Sequence, residues 1–117
     1  MLKYFIAIFF FSALSISTSQ AGIETYSLKD AKGEQLFEGH WISKGKKAPL
    51  IFIVHDWDGL TEYEIKRSKM LTDLGYSVFA VDLFGRGVRP SLLEDKKKQT
   101  GALYTNRERM REILNAA

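Results

Sequence analysis

Apolar residues follow several distinct patterns along the chain. Residues 23–28 and 34–43 mix alternating and aromatic positions, and the turn sequence KDAKG between them predicts a β-hairpin. Residues 50–54 (LIFIV) and 76–81 (YSVFAV) are almost wholly apolar and rich in branched and aromatic side chains. Such runs are typical of strands that are buried on both faces, and they favour a parallel sheet.

Two segments carry the signals of amphipathic helices. After the first buried strand, Thr61 and Glu64 stand three apart and can form a capping box, and Gly75 suits a left-handed C-terminal cap. The apolar stripe of this helix is expected to consist of Tyr63, Met70, Leu71 and Leu74. A second capping box at Thr105 and Glu108 predicts a final helix. Its stripe is expected to consist of Met110, Ile113, Leu114 and Ala117.

The order of these elements is hairpin, strand, helix, strand, long segment and helix. The long segment, residues 88–104, is expected to be irregular or only briefly helical. A strand–helix–strand unit with buried strands predicts an open α/β sheet with a right-handed parallel crossover. Because no strand follows the final helix, we expect the sheet to be incomplete.

The N-terminus has the layout of a secretory signal peptide. Lys3 precedes an apolar run from Tyr4 to Phe11, and small and polar residues follow, with Ser19 and Ala21 at the positions a signal peptidase reads. The apolar part is shorter than the roughly 20 residues of a membrane-spanning helix, which disfavours an uncleaved anchor. We therefore expect cleavage after Ala21, a periplasmic or secreted product without a membrane anchor, and one small domain over 22–117.

Charge and composition narrow the partners. The formal net charge is only +3, and one of these charges, Lys3, is lost with the leader. So small a positive charge does not indicate a nucleic-acid partner. The basic cluster EDKKKQ, residues 94–99, is expected to be a solvated face. The chain has no cysteine, which excludes disulfides, thiolate metal sites and a cysteine nucleophile within these 117 residues.

The two buried strands end in loops that can carry a site, since ligands in open α/β sheets bind beyond the carboxyl ends of the strands. These loops are HDWDGL and DLFGRG.

One interpretation of Asp56 and Asp58 is that they act directly, because Asp-x-Asp-Gly resembles the nucleophile motif of haloacid-dehalogenase-like, magnesium-dependent phosphatases. Gly59-Leu60-Thr61 departs from that family's Gly-Thr order. A metal site that adds His55 is disfavoured, because adjacent loop residues point in different directions, and we expect no metal and no cofactor.

Over residues 48–87 the sequence resembles the dienelactone hydrolase family of α/β-hydrolases. The motifs that carry the resemblance are HDWDGL, KRSKMLTDLGY and VFAVDLFGRG, and GALYTNRERMREILNA looks like the helix before that family's nucleophile strand. The resemblance implies a partial α/β-hydrolase fold, truncated before the nucleophile strand. It also implies a small-molecule ester or lactone as the substrate.

The resemblance assigns expectations to individual residues. The Trp57 N–H would be an oxyanion-hole donor, Asp56 would match a glutamate that contacts the resting nucleophile, and Arg86 would bind a carboxylate on the substrate. His55 is expected to bond a backbone group beneath its loop. We expect Asp82 to form a turn and His40 to be a surface or edge residue.

No part of the catalytic triad can be placed on the sequence. It contains neither a Gly-x-Cys-x-Gly nor a Gly-x-Ser-x-Gly elbow. Two hypotheses remain beside the phosphatase. In the first, the chain is the N-terminal part of an exported hydrolase, is inactive alone, and its triad lies in further sequence. In the second, it is a non-catalytic remnant or binding module. The sequence does not predict the oligomeric state.

Overall fold

The computed structural model describes residues 22–29, 32–33 and 35–117. The predicted leader and Asp30 of the hairpin turn therefore lie outside the described residues. The strands are β1 Glu24–Lys29, β2 Gln35–Ile42, β3 Leu50–Val54 and β4 Ser77–Val81. The helices are α1 Glu62–Asp73, α2 Leu93–Thr105 and α3 Arg107–Ala116. The predicted strands, α1 and the final helix are confirmed. Within the described residues, no helix has the length and apolarity needed to cross a membrane.

The strands form one open, mixed sheet in the order β1-β2-β4-β3. The hairpin is confirmed by antiparallel pairing of β1 with β2, and the crossover by parallel pairing of β3 with β4. β2 also pairs antiparallel with β4, so the hairpin fills one side of β4 and β3 the other. This topology confirms an incomplete α/β sheet among the described residues.

Burial differs between the two strands that were expected to be covered on both faces. Every residue of β4 is buried, as predicted. In β3 the prediction is wrong, because Leu50, Phe52 and Val54 are 61%, 40% and 51% exposed. The reason is topological: β3 is an edge strand in this sheet, and within the described part of the chain no helix covers that row of side chains.

The ends of α1 follow the prediction. The Thr61 hydroxyl accepts a hydrogen bond from the Tyr63 N–H, and the Glu64 carboxylate accepts one from the Thr61 N–H at 2.8 Å. At the other end, Gly75 has φ +106°, and the N–H groups of Gly75 and Tyr76 donate back into the last turn. This is a Schellman cap, which needs glycine at the left-handed position.

The buried face of α1 is not the predicted one. Tyr63, Met70 and Leu74 are exposed, and α1 buries Glu64, Ser68 and Thr72 instead. The Ser68 and Thr72 hydroxyls each donate to a carbonyl one turn earlier, at 2.7 and 2.9 Å, so their burial leaves no donor unsatisfied. Leu71, the remaining member of the predicted stripe, is half-buried, so α1 turns a mainly polar but hydrogen-bonded face toward β4 and β2.

The largest core cluster lies on the opposite sheet face, under α3. Its members are Phe37, Phe79, Val81, Leu83 and Ile113. The ring of Phe79 lies directly over Gly39 of β2, and a Cβ at that position would overlap it. The predicted stripe of α3 is therefore confirmed for Ile113, which is 1% exposed, and Leu114 packs at the edge of the cluster.

Two predictions about the C-terminal segments are wrong. Leu93–Thr105 is a full helix of 13 residues, although only brief helicity was expected. Thr105 belongs to this helix, and its hydroxyl bonds the Gly101 and Ala102 carbonyls rather than capping α3. Asn106 caps α3 instead, and its side chain accepts from the Arg109 N–H at 3.1 Å. Asn106 is the single residue between α2 and α3.

Candidate functional site

His55 joins the loops that follow β3 and β4. The Leu83 N–H donates to His55 Nε2 at 2.9 Å, so the ring proton sits on Nδ1, which donates to the Asp56 carbonyl at 2.6 Å. The ring is buried and lies edge-on to Phe84, with 4.6 Å between the centroids. The prediction that His55 bonds backbone groups beneath its loop is confirmed. The imidazole fixes the spacing of the two loops.

Asp56 closes the tip of the first loop. Its Oδ1 accepts a hydrogen bond from the Asp58 N–H at 3.0 Å, and its carbonyl accepts one from the Gly59 N–H at 3.2 Å. Gly59 has φ +84°, and a Cβ there would lie 2.9 Å from the Val88 carbonyl oxygen. These bonds close the turn around Trp57, whose own N–H donates to no acceptor among the described residues.

Helix α2 contacts the same loop through Lys96. The Lys96 ammonium forms an ion pair with Asp58 Oδ1 and lies 5.3 Å from the centre of the Trp57 ring. Its side chain is 19% exposed, so the prediction of a solvated basic face is wrong for this residue. Lys97 follows the prediction, since it is 61% exposed and pairs with Glu94 in its own helix. No signal for Lys96 is visible in the sequence, because a full helix was not predicted for α2.

The second loop is folded around a buried carboxylate. Asp82 is fully buried, and its Oδ1 accepts from the N–H groups of Phe84 and Gly85 at 3.0 and 3.3 Å. Arg89 Nη1 contacts Asp82 Oδ2 at 3.3 Å and donates to the Val88 carbonyl at 2.8 Å. The prediction that Asp82 forms a turn is confirmed, and Arg89 supplies the charge opposite it.

Arg89, and not the predicted Arg86, makes the closer ion pairs in this region. Arg86 is 65% exposed, and its Nε is 3.7 Å from Glu38 Oε2. Arg89 is less exposed, at 27%, and joins Glu38 to Asp82. Asp82 lies seven positions earlier in the chain and Glu38 51 positions earlier, so a local pattern does not reveal that Arg89 joins them. The role of Arg86 in binding a substrate carboxylate stays a prediction.

A cleft of about 280 Å³ opens beside the first loop. It is lined by His55, Asp56, Trp57, Leu83, Phe84, Thr100, Leu103, Tyr104 and Met110. The structure thus brings two predicted site residues, Asp56 and Trp57, to one cavity, and Arg86 is not part of its lining. His40 is also outside it and contacts Thr25 in the hairpin at 3.1 Å; it lies half-buried on β2, between β1 and β4, so it is not an edge residue. The described residues contain no group of three or more His, Cys, Asp or Glu side chains that could hold a metal ion.

The mixed open sheet, with its functional loops at the carboxyl ends of two parallel strands, defines a partial α/β-hydrolase-type fold. The sequence model of the "Dienelactone hydrolase family" matches residues 38–117, so the chain belongs to that family. No curated protein matches the chain significantly.

Solved structures show the same fold. A protein described as "m3DLH" is similar over 80% of this chain, with 23% identity and a TM-score of 0.63. A dienelactone hydrolase-like promiscuous phosphotriesterase from metagenomic libraries covers the same share, with 20% identity and a TM-score of 0.62. The chain spans 42% and 40% of the lengths of these two proteins.

Proposed function

We propose that the chain is the N-terminal part of an exported hydrolase that cleaves ester or lactone bonds with a nucleophile–His–Asp triad. The observation that carries the proposal is the Trp57 N–H, which has no acceptor among the described residues and lies in a tightly bonded turn beside a cleft. Acyl transfer requires donors that are fixed before charge develops on the substrate oxygen. A donor held in a rigid turn meets that requirement without reorganisation.

Asp56 supports the same proposal. Its Oδ1 is occupied by the Asp58 N–H, and its Oδ2 makes no hydrogen bond to a described residue. One carboxylate can therefore shape the loop with one oxygen and hold a resting nucleophile with the other. Aspartate is one methylene shorter than the glutamate of the family, so the nucleophile would have to approach β3 closely.

Arg86 is the proposed contact for a carboxylate on the substrate. It is mostly exposed, and its one described ion pair, with Glu38, is a loose contact at 3.7 Å. Such a surface pair contributes little free energy, so an incoming carboxylate can replace it. A guanidinium group can then bind both carboxylate oxygens at once.

The triad itself is proposed to lie in sequence beyond Ala117. The chain contains no cysteine, and neither histidine is suited to act as the general base. Both ring nitrogens of His55 are bonded to backbone groups, and His40 pairs with Thr25 away from the cleft. The matched part of the chain accounts for only 42% and 40% of the solved structures that resemble it, and the remainder leaves room for three catalytic residues.

The first test is to sequence the source DNA through and beyond the Ala117 codon. The proposal expects an open frame, directly or after one shift, that encodes a Gly-x-Cys-x-Gly or Gly-x-Ser-x-Gly elbow with later Asp and His. The extended protein should then hydrolyse an activated ester, and alanine at the elbow nucleophile should abolish turnover. A genuine stop followed by unrelated sequence would overturn the proposal and favour a binding role.

Two further measurements separate the other hypotheses. Magnesium-dependent phosphate release that Asp56→Asn abolishes would support the phosphatase instead. The ion pair of Asp58 with Lys96 speaks against that chemistry, because it occupies the proposed acid. Export is tested by N-terminal sequencing of the mature protein, which should begin at Gly22.

A further inference from the structure

Lys96 contacts the loop that holds the proposed oxyanion donor from the side opposite the sheet. Its ammonium meets Asp58 Oδ1, directly after Trp57, and also lies over the Trp57 ring at 5.3 Å. From the other side, the loop is held by the His55 ring, which bonds the Leu83 N–H and the Asp56 carbonyl, and by the hydrogen bonds that Asp56 makes within the turn. The two contacts of Lys96 therefore act on the residue that bears the free N–H and on its neighbour.

The location of Lys96 makes these contacts more effective than an ordinary surface pair. Exposed ion pairs contribute about 0–1 kcal/mol, because water and salt screen them. The Lys96 side chain is only 19% exposed, and a cation over a tryptophan face is itself favourable, more so when water is partly excluded. Both interactions also restrict rotation of the loop, since the ion pair fixes Asp58 and the ring contact fixes Trp57.

We propose that Lys96 is a positioning residue that orients the Trp57 N–H toward the developing oxyanion from its place on α2. The catalytic role of Lys96 rests on the proposed function, whereas its contacts with Trp57 and Asp58 do not. It makes α2 part of the site, although no residue of α2 is buried in the core. A displacement of about 1 Å at a reacting group can lower the rate by up to about 100-fold, so a small reorientation of this donor matters.

The test uses the two tryptophans of the chain. Protein labelled with ¹⁵N at tryptophan alone gives separate backbone signals for Trp41 and Trp57, which Trp57→Phe assigns. Lys96→Met keeps the length of the side chain and removes its charge. We expect this variant to shift or broaden the Trp57 amide signal and to leave the Trp41 signal unchanged. Lys96→Arg, which retains the charge, should restore the original position.

Two matched variants make the result specific. Lys97→Met removes a neighbouring charge that is 61% exposed, and it should leave both signals in place. Asp58→Asn breaks the ion pair from the loop side and should displace the Trp57 signal as Lys96→Met does. The Trp57 signal of Asp58→Asn can be measured instead if Lys96→Met fails to fold. An unchanged Trp57 amide in a folded Lys96→Met or Asp58→Asn protein would overturn the inference.

Activity separates this inference from the proposed function. In an extended protein that hydrolyses esters, Lys96→Met should lower kcat by about 10- to 100-fold and change KM little, because the donor acts on the transition state. A lower kcat with an unmoved Trp57 signal would refute positioning and leave the hydrolase intact. A moved signal in an extended protein without ester activity would refute the proposed function and leave the loop contact intact.

Discussion

Replacing Arg89 with methionine removes the only Lys or Arg side chain that contacts Asp82 among the described residues; His55 Nε2 lies 3.7 Å from Asp82 but accepts the Leu83 N–H. Asp82 is fully buried, and its remaining partners would be the two N–H groups of its own turn. The same substitution removes the shorter ion pair of the Glu38 carboxylate, which is 16% exposed and would keep its 3.7 Å contact with Arg86. Methionine retains most of the apolar stem, so the change tests charge and hydrogen bonding rather than packing.

The expected loss is large for this fold. Breaking a buried ion pair from one side costs about 3–5 kcal/mol, because it leaves an uncompensated charge. Arg89 is 27% exposed, so water recovers part of that cost, and we expect about 2–3 kcal/mol. For a domain of this size, such a loss lowers Tm by on the order of 10–20 °C. Arg86→Met is the matched control, and it should cost less than about 1 kcal/mol, because Arg86 is 65% exposed.

The assay is urea and thermal unfolding followed by circular dichroism, with Asp82→Asn added to complete a double-mutant cycle. Asparagine retains an oxygen for the Phe84 and Gly85 N–H groups and removes the buried charge. The double variant should therefore be more stable than the sum of the single effects predicts, by about 1 kcal/mol or more. Additive losses, or an Arg89→Met protein within about 0.5 kcal/mol of Arg86→Met, would refute this account of the loop.

Three further outcomes follow from other contacts. Gly39→Ala should destabilise the fold by about 1–3 kcal/mol, because the new methyl group overlaps the Phe79 ring, and Phe79→Leu should recover part of that loss in chemical denaturation. Full additivity of the two changes would contradict this. Thr61→Ala should cost about 1 kcal/mol through loss of the α1 cap, and Thr61→Ser should restore it, as Tm measurements would show. The purified chain alone should hydrolyse an activated ester no faster than its His55→Ala or Asp56→Asn variants, and turnover well above both would contradict the absence of a triad.

Local signals predicted the ends of α1 and the existence of the strands. The capping box at Thr61 and the left-handed Gly75 depend on backbone groups within four residues, so the sequence contains all that is needed to predict them. The buried face of α1 depends instead on what the helix meets. Its main partner is a fully buried strand, β4, and the residues that α1 buries are Glu64, Ser68 and Thr72 rather than Met70.

The candidate site was predictable in part. The motif containing Asp56 and Trp57 stands out in the sequence, and the structure places both residues on one cleft. Lys96 was missed because its partners, Trp57 and Asp58, are 38 or more positions away. Arg89 was missed because Asp82, seven positions away, was expected only to form a turn, and because Glu38 is 51 positions away. Their importance appears only when α2 and β2 are brought beside the loops.

The sequence by itself determined the strand–helix–strand unit and the caps of α1, because these follow from hydrogen bonds and periodicity over short separations, and its motifs carry the resemblance to the family. Only the tertiary structure decided which strand lies at the edge, which face of α1 is buried and which charges hold the two loops. Strand order places β4 at the centre and β3 at the edge, and that order depends on pairings between distant segments. Burial and ion pairing then follow from position in the sheet, which no local pattern contains.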